Sequence, residues 1–322
     1  MLDPRLLGQR WLFRTDPGPL SRAAATWVGR LTPALAPGPA VRPAVPTIVV
    51  GGLAVGGAGR TPVVAWLARA WADLGLRVAV VTHGYRATAR HPVALIEPDI
   101  RSGDEAAELR RTLPLRVAVW GGPDRRATLV TVRDADVVVV DGGLLDHTLP
   151  CTARIAVVDA TAPRSVWPAG PLRAPLAALA RADAVWLHRV DEPGARPLPA
   201  PWAPRVQSRV AFRGVRLPDG SVAPPTWLAG RAVRPLTGIA RPGSFLWGLA
   251  QAGAEVLPGL ECADHHVFRP AELAACLRRG GTWVTTAKDA ERLPPGWPAV
   301  VVDTEVAVVA GDADGLVRWL AS

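Results

Sequence analysis

Lysine is almost absent from this 322-residue chain. Of its 37 basic Lys and Arg residues, Lys288 is the only lysine. Arginine at a position where lysine is usual therefore reflects a drift in residue usage, and the surviving Lys288 stands out. Cysteine is scarce too: Cys151, Cys262 and Cys276 have no metal-ligand spacing, and their odd number does not make a disulfide framework. That pattern suits a reducing cytosol. No apolar run approaches the roughly 20 residues that span a bilayer, so no transmembrane helix is expected. Arg or Pro interrupts every apolar run of the first 45 residues, which argues against a cleavable signal peptide. Acidic residues are in deficit, 28 against 37 basic, and the net charge of +9 calls for an acidic partner. A nucleotide, a phospholipid surface and a nucleic acid all satisfy that requirement. With 49% apolar and 20% charged residues the chain is globular, and it is long enough for two domains.

The most informative stretch is TIVVGGLAVGGAGRTP, residues 47–62. Thr47 to Val50 form a β-branched run suited to a buried parallel strand. Five glycines follow, at 51, 52, 56, 57 and 59, and then the helix-like run VVAWLARAWADL. A strand, a glycine-rich turn and a helix in that order make an anion cradle, because backbone N–H groups crowd a phosphate at the helix N-terminus. Gly56, Gly57, Ala58, Gly59, Arg60 and Thr61 are the candidate phosphate-binding residues. Thr61 stands where a P-loop places its metal-binding hydroxyl, whereas Ala54 replaces the first glycine and Arg60 the lysine. A glycine turn that merely packs a helix on a sheet is the competing reading.

The rest of the chain alternates. Residues 5–32 interleave five arginines with Trp11, Phe13 and Trp27. That composition fits a helix in a membrane interface and equally a helical hairpin packed on the core. A proline-rich connector, 33–46, precedes the first strand. Further strands are expected at 77–85, 91–97, 115–120, 135–143, 154–160 and 182–188, with Asp104 at the N-cap of a helix. The run ADVVVVDGG delivers Asp141 to the C-terminal edge of the sheet, where a Walker-B carboxylate binds magnesium. Proline-rich residues near 197–207 mark a crossing, and Pro218-Asp219-Gly220 is a turn between two short strands. A second α/β domain follows, with a strand over 282–293 and another over 299–308. The expected division is an N-terminal segment 1–32, a nucleotide-binding domain 33–205 and a smaller domain 206–322 opened by the hairpin. Whether the final strand and helix return to the first domain stays open.

In order, VGGLAVGGAGRTP, VTHGYR, SGDEA, VVVVDGGLLDH, PAGPLRAP, LTGIARPGSF, ADHHVF and TTAKDAERL resemble the tetraacyldisaccharide 4′-kinase family over nearly the whole chain. The resemblance implies a P-loop NTPase-like parallel-sheet domain with a smaller α/β domain. It implies transfer of the γ-phosphate of ATP, with Mg²⁺, to the 4′-hydroxyl of a lipid-linked glucosamine disaccharide in lipid A biosynthesis. It further implies a peripheral enzyme at the cytoplasmic face of the inner membrane, a monomer without a nucleic-acid partner. Carried over by position, Arg60 and Thr61 hold phosphates and metal with Asp141, Asp104 is the general base, and His265 is its partner. A carboxylate within hydrogen-bond reach of a hydroxyl can take its proton, and a neighbouring His can orient it.

The chain also departs from that family. The family has lysine where Arg60 stands and a second aspartate where Gly142 stands. It has Gln-His where this chain reads Leu145-Asp146 with His147 following, and an acidic residue where Ala174 stands. Arginine keeps its charge and forks toward phosphate oxygens, so position 60 can still bind. Fewer carboxylates weaken the metal site, and a catalytically impaired nucleotide- or lipid-binding pseudokinase is the alternative reading.

Overall fold

Valine-rich runs without alternation belong in strands covered on both faces, and β1 and β5 below have no exposed residue. The computed structural model describes residues 18–31, 43–83, 91–97 and 103–321, without the side chains of 27–31 and 104. Most of the basic-aromatic segment 1–17, the proline-rich connector to residue 42, and parts of the VTHGYR and SGDEA motifs lie outside it.

The first half comprises α1 (Pro19–Leu31), β1 (Thr47–Gly51), α2 (Arg60–Asp73), β2 (Val78–His83) and β3 (Val93–Leu95). It continues with α3 (Asp104–Thr112), β4 (Ala118–Gly122), α4 (Arg125–Thr131), β5 (Val137–Asp141), β6 (Ala153–Asp159) and β7 (Ala184–His188). The second half comprises β8 (Val206–Arg216), β9 (Val222–Ala223), β10 (Ala232–Thr237), α5 (Pro242–Gln251), β11 (Glu255–Val256) and β12 (Leu260–Glu261). It ends with α6 (Pro270–Arg279), β13 (Thr282–Thr286), α7 (Ala287–Ala290), β14 (Ala299–Gly311) and α8 (Ala313–Ala321).

Two compact units divide the chain, one within Thr15–Ser208 and Val308–Ser322, the other containing Arg209–Ala307. In the larger unit the strands run in the order β8–β7–β6–β1–β5–β2–β4–β3. They are parallel except for β3, which is antiparallel at the edge. The C-terminal ends of β1 and β5 are adjacent, with Val50 opposite Asp141. That is where an open parallel sheet presents a ligand. Helix α2 buries Val63, Val64, Leu67, Ala68 and Trp71. The Trp71 indole donates to the carbonyl of Val317 in α8 at 2.9 Å, so the last helix packs in the larger unit. Ala25 of α1 packs against the apolar cluster around Leu53, Leu144 and Leu187.

The smaller unit holds β11, β10, β13 and β14 as parallel neighbours, with β12 also on β10. Its core gathers Val215, Leu228, Val233, Phe245, Leu249 and Val284. The hairpin of β8 and β9 turns at Gly220, whose φ is 85°, and the Asp219 carboxylate accepts from Ser221.

Two local expectations are corrected. The N-cap before α3 is Gly103, at φ 100°, and Asp104 is the first helical residue. The run from Thr282 to Leu293 is a strand only as far as Thr286. There the Thr286 hydroxyl accepts from the Asp289 N–H at 3.1 Å and starts α7.

Trp71 has no exposed surface and anchors α8 to α2. Trp71→Ala is expected to lower stability by about 3–5 kcal/mol, the range for large-to-small aromatic changes in a core. Urea unfolding of the two proteins measures it, and a loss under about 1 kcal/mol contradicts this role for the contact.

Candidate functional site

The glycine loop between β1 and α2 carries Gly56, Gly57 and Gly59 at φ 66°, 56° and 79°, all left-handed. Such backbone turns N–H groups toward one side. The carbonyls on the other side need donors, and arginines supply them. Arg189 donates to the Gly57 carbonyl at 2.8 Å, and Arg173 to the Gly52 carbonyl at 3.0 Å. Arg189 is itself fixed by Asp159 at 2.8 Å and Glu192 at 3.5 Å. Helix α2 begins at Arg60 with no side-chain cap and no acidic residue in its first turn. Its first N–H groups and its partial positive charge therefore face the loop unshielded.

Gly59 has a steric reason as well as a conformational one. A Cβ there would lie 2.3 Å from Cδ2 of His188. His188 is buried, and burial, followed by the charge of Arg189, pushes its pKa down to about 3. The ring is therefore neutral at ordinary pH. Ser208 Oγ accepts from the Trp186 indole at 2.7 Å and is hydrogen-bonded to Nδ1 of His188 at 2.9 Å.

Asp141, at the end of β5, is the electrostatic centre. It has no solvent exposure, and its Oδ2 accepts from the Thr61 hydroxyl at 2.8 Å. Its Oδ1 is buried and has no hydrogen-bond partner among the described residues. A carboxylate and a hydroxyl side by side, with one carboxylate oxygen unused, form a hard oxygen donor set suited to Mg²⁺. That ion is commonly held by one or two carboxylates completed by substrate phosphates.

Cations surround this carboxylate. Arg125 opens α4 and donates through Nε to the Asp141 carbonyl at 2.9 Å. Arg60 lies 3.7 Å from Glu105. Gly142 sits at φ 84°, and a Cβ there would lie 2.7 Å from Nη2 of Arg125 and 3.1 Å from Nη1 of Arg60. Two guanidinium groups thus fill the space that a side chain at 142 would enter. Burial first, and the charge of Asp141 second, push the Glu105 pKa up to about 7 against the opposing pull of Arg60 and Arg125. Burial lowers the pKa of Arg125.

The structure brings Thr61, Arg60 and Asp141 together at the loop of Gly56, Gly57, Ala58 and Gly59. Asp104 opens α3 in the same unit, and its side chain is outside the described residues. His265 belongs to the smaller unit. Its φ is 60°, and its N–H donates to the Gly238 carbonyl at 3.0 Å. Arg292 approaches its Nδ1 at 3.4 Å, and Asp264 lies 3.6 Å from its Nε2. Asp146 is engaged in a turn, accepting from the N–H and hydroxyl of Thr148. Ala174 is fully buried in the apolar cluster, which leaves no room there for a solvated carboxylate.

Sequence reasoning had not singled out Glu105, Arg125 or the Arg189–Asp159–Glu192 group. The available signal was positional: Arg125 and Arg189 each follow the C-terminal end of a strand.

The chain matches the tetraacyldisaccharide-1-P 4′-kinase family over residues 21–322. A tetraacyldisaccharide 4′-kinase of an Anaeromyxobacter species (strain Fw109-5) is 39% identical over 345 residues, covering 99% of this chain and 88% of that protein. The protein of the same name from Methylorubrum populi is 36% identical, covering 88% of each. A crystal structure described as the "apo" form of LpxK from Aquifex aeolicus in complex with ATP shares the fold at a TM-score of 0.68. Its identity is 24%, with 94% of this chain and 95% of that chain covered.

The raised pKa of Glu105 carries a stability prediction for the metal- and nucleotide-free protein. Unfolded Glu105 titrates near 4.5 and folded Glu105 near 7. Between those values the folded state holds a proton that the unfolded state has lost, so this residue's contribution falls as pH rises through the window. Glu105→Gln is expected to match wild type near the bottom of the window and to be the more stable protein above pH 7. Thermal unfolding across the window checks this. Parallel curves would show that Glu105 titrates normally.

Proposed function

The chain belongs to the tetraacyldisaccharide-1-P 4′-kinase family, and we propose how its residues transfer the γ-phosphate of ATP to the 4′-hydroxyl of a tetraacyl glucosamine disaccharide 1-phosphate in lipid A biosynthesis. The observation that carries this reading is the Thr61–Asp141 pair, 2.8 Å apart, at the mouth of the left-handed glycine loop. Phosphoryl transfer asks a protein mainly for positioning and charge stabilisation.

The loop amides and the start of α2 bind the β- and γ-phosphates. Arg60 and Arg125, which meet beside Gly142, would offset the phosphate charge, and Arg60 offers a planar fork where lysine would offer a point charge. Thr61 and Asp141 are the residues that would hold Mg²⁺, which supplies charge neutralisation to the phosphate oxygens. Asp104 accepts the proton of the acceptor hydroxyl as that oxygen bonds to the γ-phosphorus. The bond to the β–γ bridging oxygen breaks and ADP leaves. His265 is assigned as the second residue of the proton transfer, the partner that the resemblance pairs with Asp104.

The acceptor is a lipid-linked disaccharide, so the enzyme is proposed to work as a monomer on the cytoplasmic surface of the inner membrane. Two features support that placement: the net charge of +9, and α1, whose Leu20 is exposed. No helix among the described residues is long and apolar enough to cross a membrane.

Incubation with radiolabelled ATP and the disaccharide 1-phosphate tests the function directly. Asp104→Ala is expected to lower kcat by about 10²–10⁴-fold with ATP affinity nearly intact. A residue that only opens α3 would leave kcat unchanged, and an active variant would sink the assignment.

Arg60 supplies the second test. Arg60→Ala is expected to weaken Mg²⁺-dependent ATP binding and single-turnover transfer markedly, whereas Arg60→Lys preserves or raises both. Equal inertness of wild type and Arg60→Ala would replace the kinase with a pseudokinase.

A further inference from the structure

The chain places arginine at 36 of its 37 basic Lys/Arg positions, including position 60 of the phosphate loop. The exception, Lys288, sits in α7 and is not a loosely placed surface residue. Its ammonium lies 3.2 Å from Oδ1 of Asp264, and both side chains are about three-quarters buried. The same Oδ1 accepts from the His265 N–H at 3.1 Å, and Oδ2 lies 3.6 Å from Nε2 of His265. One carboxylate therefore joins the only lysine to the histidine assigned above to the reaction.

We propose that Lys288 is a positioning residue for His265, acting through Asp264, and that this geometry requires an ammonium. The inference rests on the role given to His265 under the proposed function. An ammonium is a compact charge that can engage one carboxylate oxygen and leave the other to the imidazole. A guanidinium presents a planar fork that takes both oxygens of a carboxylate at once. Arginine at 288 would capture Oδ2, and His265 would lose its carboxylate neighbour. The drift toward arginine stops at the one position where the fork is harmful.

The surroundings of His265 are otherwise fixed. Arg292 faces Nδ1 and is tied to Asp289 at 3.0 Å. Asp289 is fully buried and holds the Gly238 N–H at 3.1 Å, and Gly238 in turn accepts from His265. His266 is paired with Glu272 of α6 at 2.9 Å. A substitution at 288 acts directly on the pair with Asp264, and its charge also reaches Asp289.

The test is the titration of the His265 imidazole by NMR in the full chain, with its signal identified among the six histidines by its loss in His265→Asn. Lys288→Met removes the cation and leaves Asp264 to the imidazolium, so the His265 pKa is expected to rise by about 1 unit. Lys288→Arg keeps the charge and withdraws the carboxylate, so the pKa is expected to fall by a similar amount. Opposite shifts support the proposal. Unmoved titration in both variants, or shifts of one sign, overturns it. Should either variant fold poorly, Asp264→Asn is the substitute: its His265 pKa is expected to fall, and an unchanged value overturns the coupling. In the transfer assay Lys288→Arg is expected to lose about tenfold or more in kcat with KM for ATP unchanged. Shifted titration with unchanged kcat keeps the coupling and overturns the role of His265 in transfer.

Discussion

A carboxylate with no exposure to water, Asp141, sets the terms for the larger unit. A buried charge is costly unless hydrogen bonds and opposite charges meet it. The compensating groups come from separate helix starts: Thr61 and Arg60 from α2, with Arg60 beside Glu105 of α3, and Arg125 from α4. Those helix starts converge because β1, β5, β2 and β4 are parallel neighbours whose C-terminal ends lie along one edge. The parallel sheet makes the convergence possible, and the buried carboxylate makes it necessary. Its Oδ1, buried and without a hydrogen-bond partner among the described residues, is left for something else to satisfy.

Arginine changes the character of this edge. Arg60, Arg125 and Arg173 stand against Asp141 and a Glu105 whose pKa burial raises to about 7. The local balance is positive, which suits a ligand carrying several phosphate charges. Gly142 belongs to the same balance. Its missing side chain is not an empty space, because the ends of Arg125 and Arg60 occupy the volume. The departures from the related kinases at 60 and 142 are therefore coupled in space, although each looks like an isolated loss along the sequence.

Much of this was readable beforehand, and the unreadable part has a common cause. The valine runs, the glycine loop, Thr61 and Asp141 are local patterns, because strand burial and loop chemistry show in neighbouring residues. The mixed α/β class and the parallel sheet followed from them. Arg173 and Arg189 were not legible as loop-holding residues, since they bind backbone carbonyls more than 100 positions away. Nothing in a run of residues records which distant carbonyl needs a donor. The capping error at Asp104 has a different origin: Asp is the more usual cap, but Gly103 takes the φ of 100° that the chain needs on entering α3. Thr286 ended a strand that looked longer because its hydroxyl competes for the helix start.

The smaller unit solves its own problem by the same device. His265 is held at a positive φ, a conformation that persists only when the surroundings over-determine it. The restraint begins at Asp289, a fully buried carboxylate just after β13, as Asp141 is at the end of β5. Burial raises the pKa of Asp289, and the Gly238 N–H, Arg292 and Thr286 oppose that rise. By fixing Gly238 it fixes the carbonyl that receives the His265 N–H, and by fixing Arg292 it fixes the group facing Nδ1. In each unit, then, a buried aspartate beside a parallel strand spends its hydrogen bonds on the backbone or side chains that present the candidate site. Removing either carboxylate would leave the strand's fold intact in outline but free the loop that the strand exists to aim.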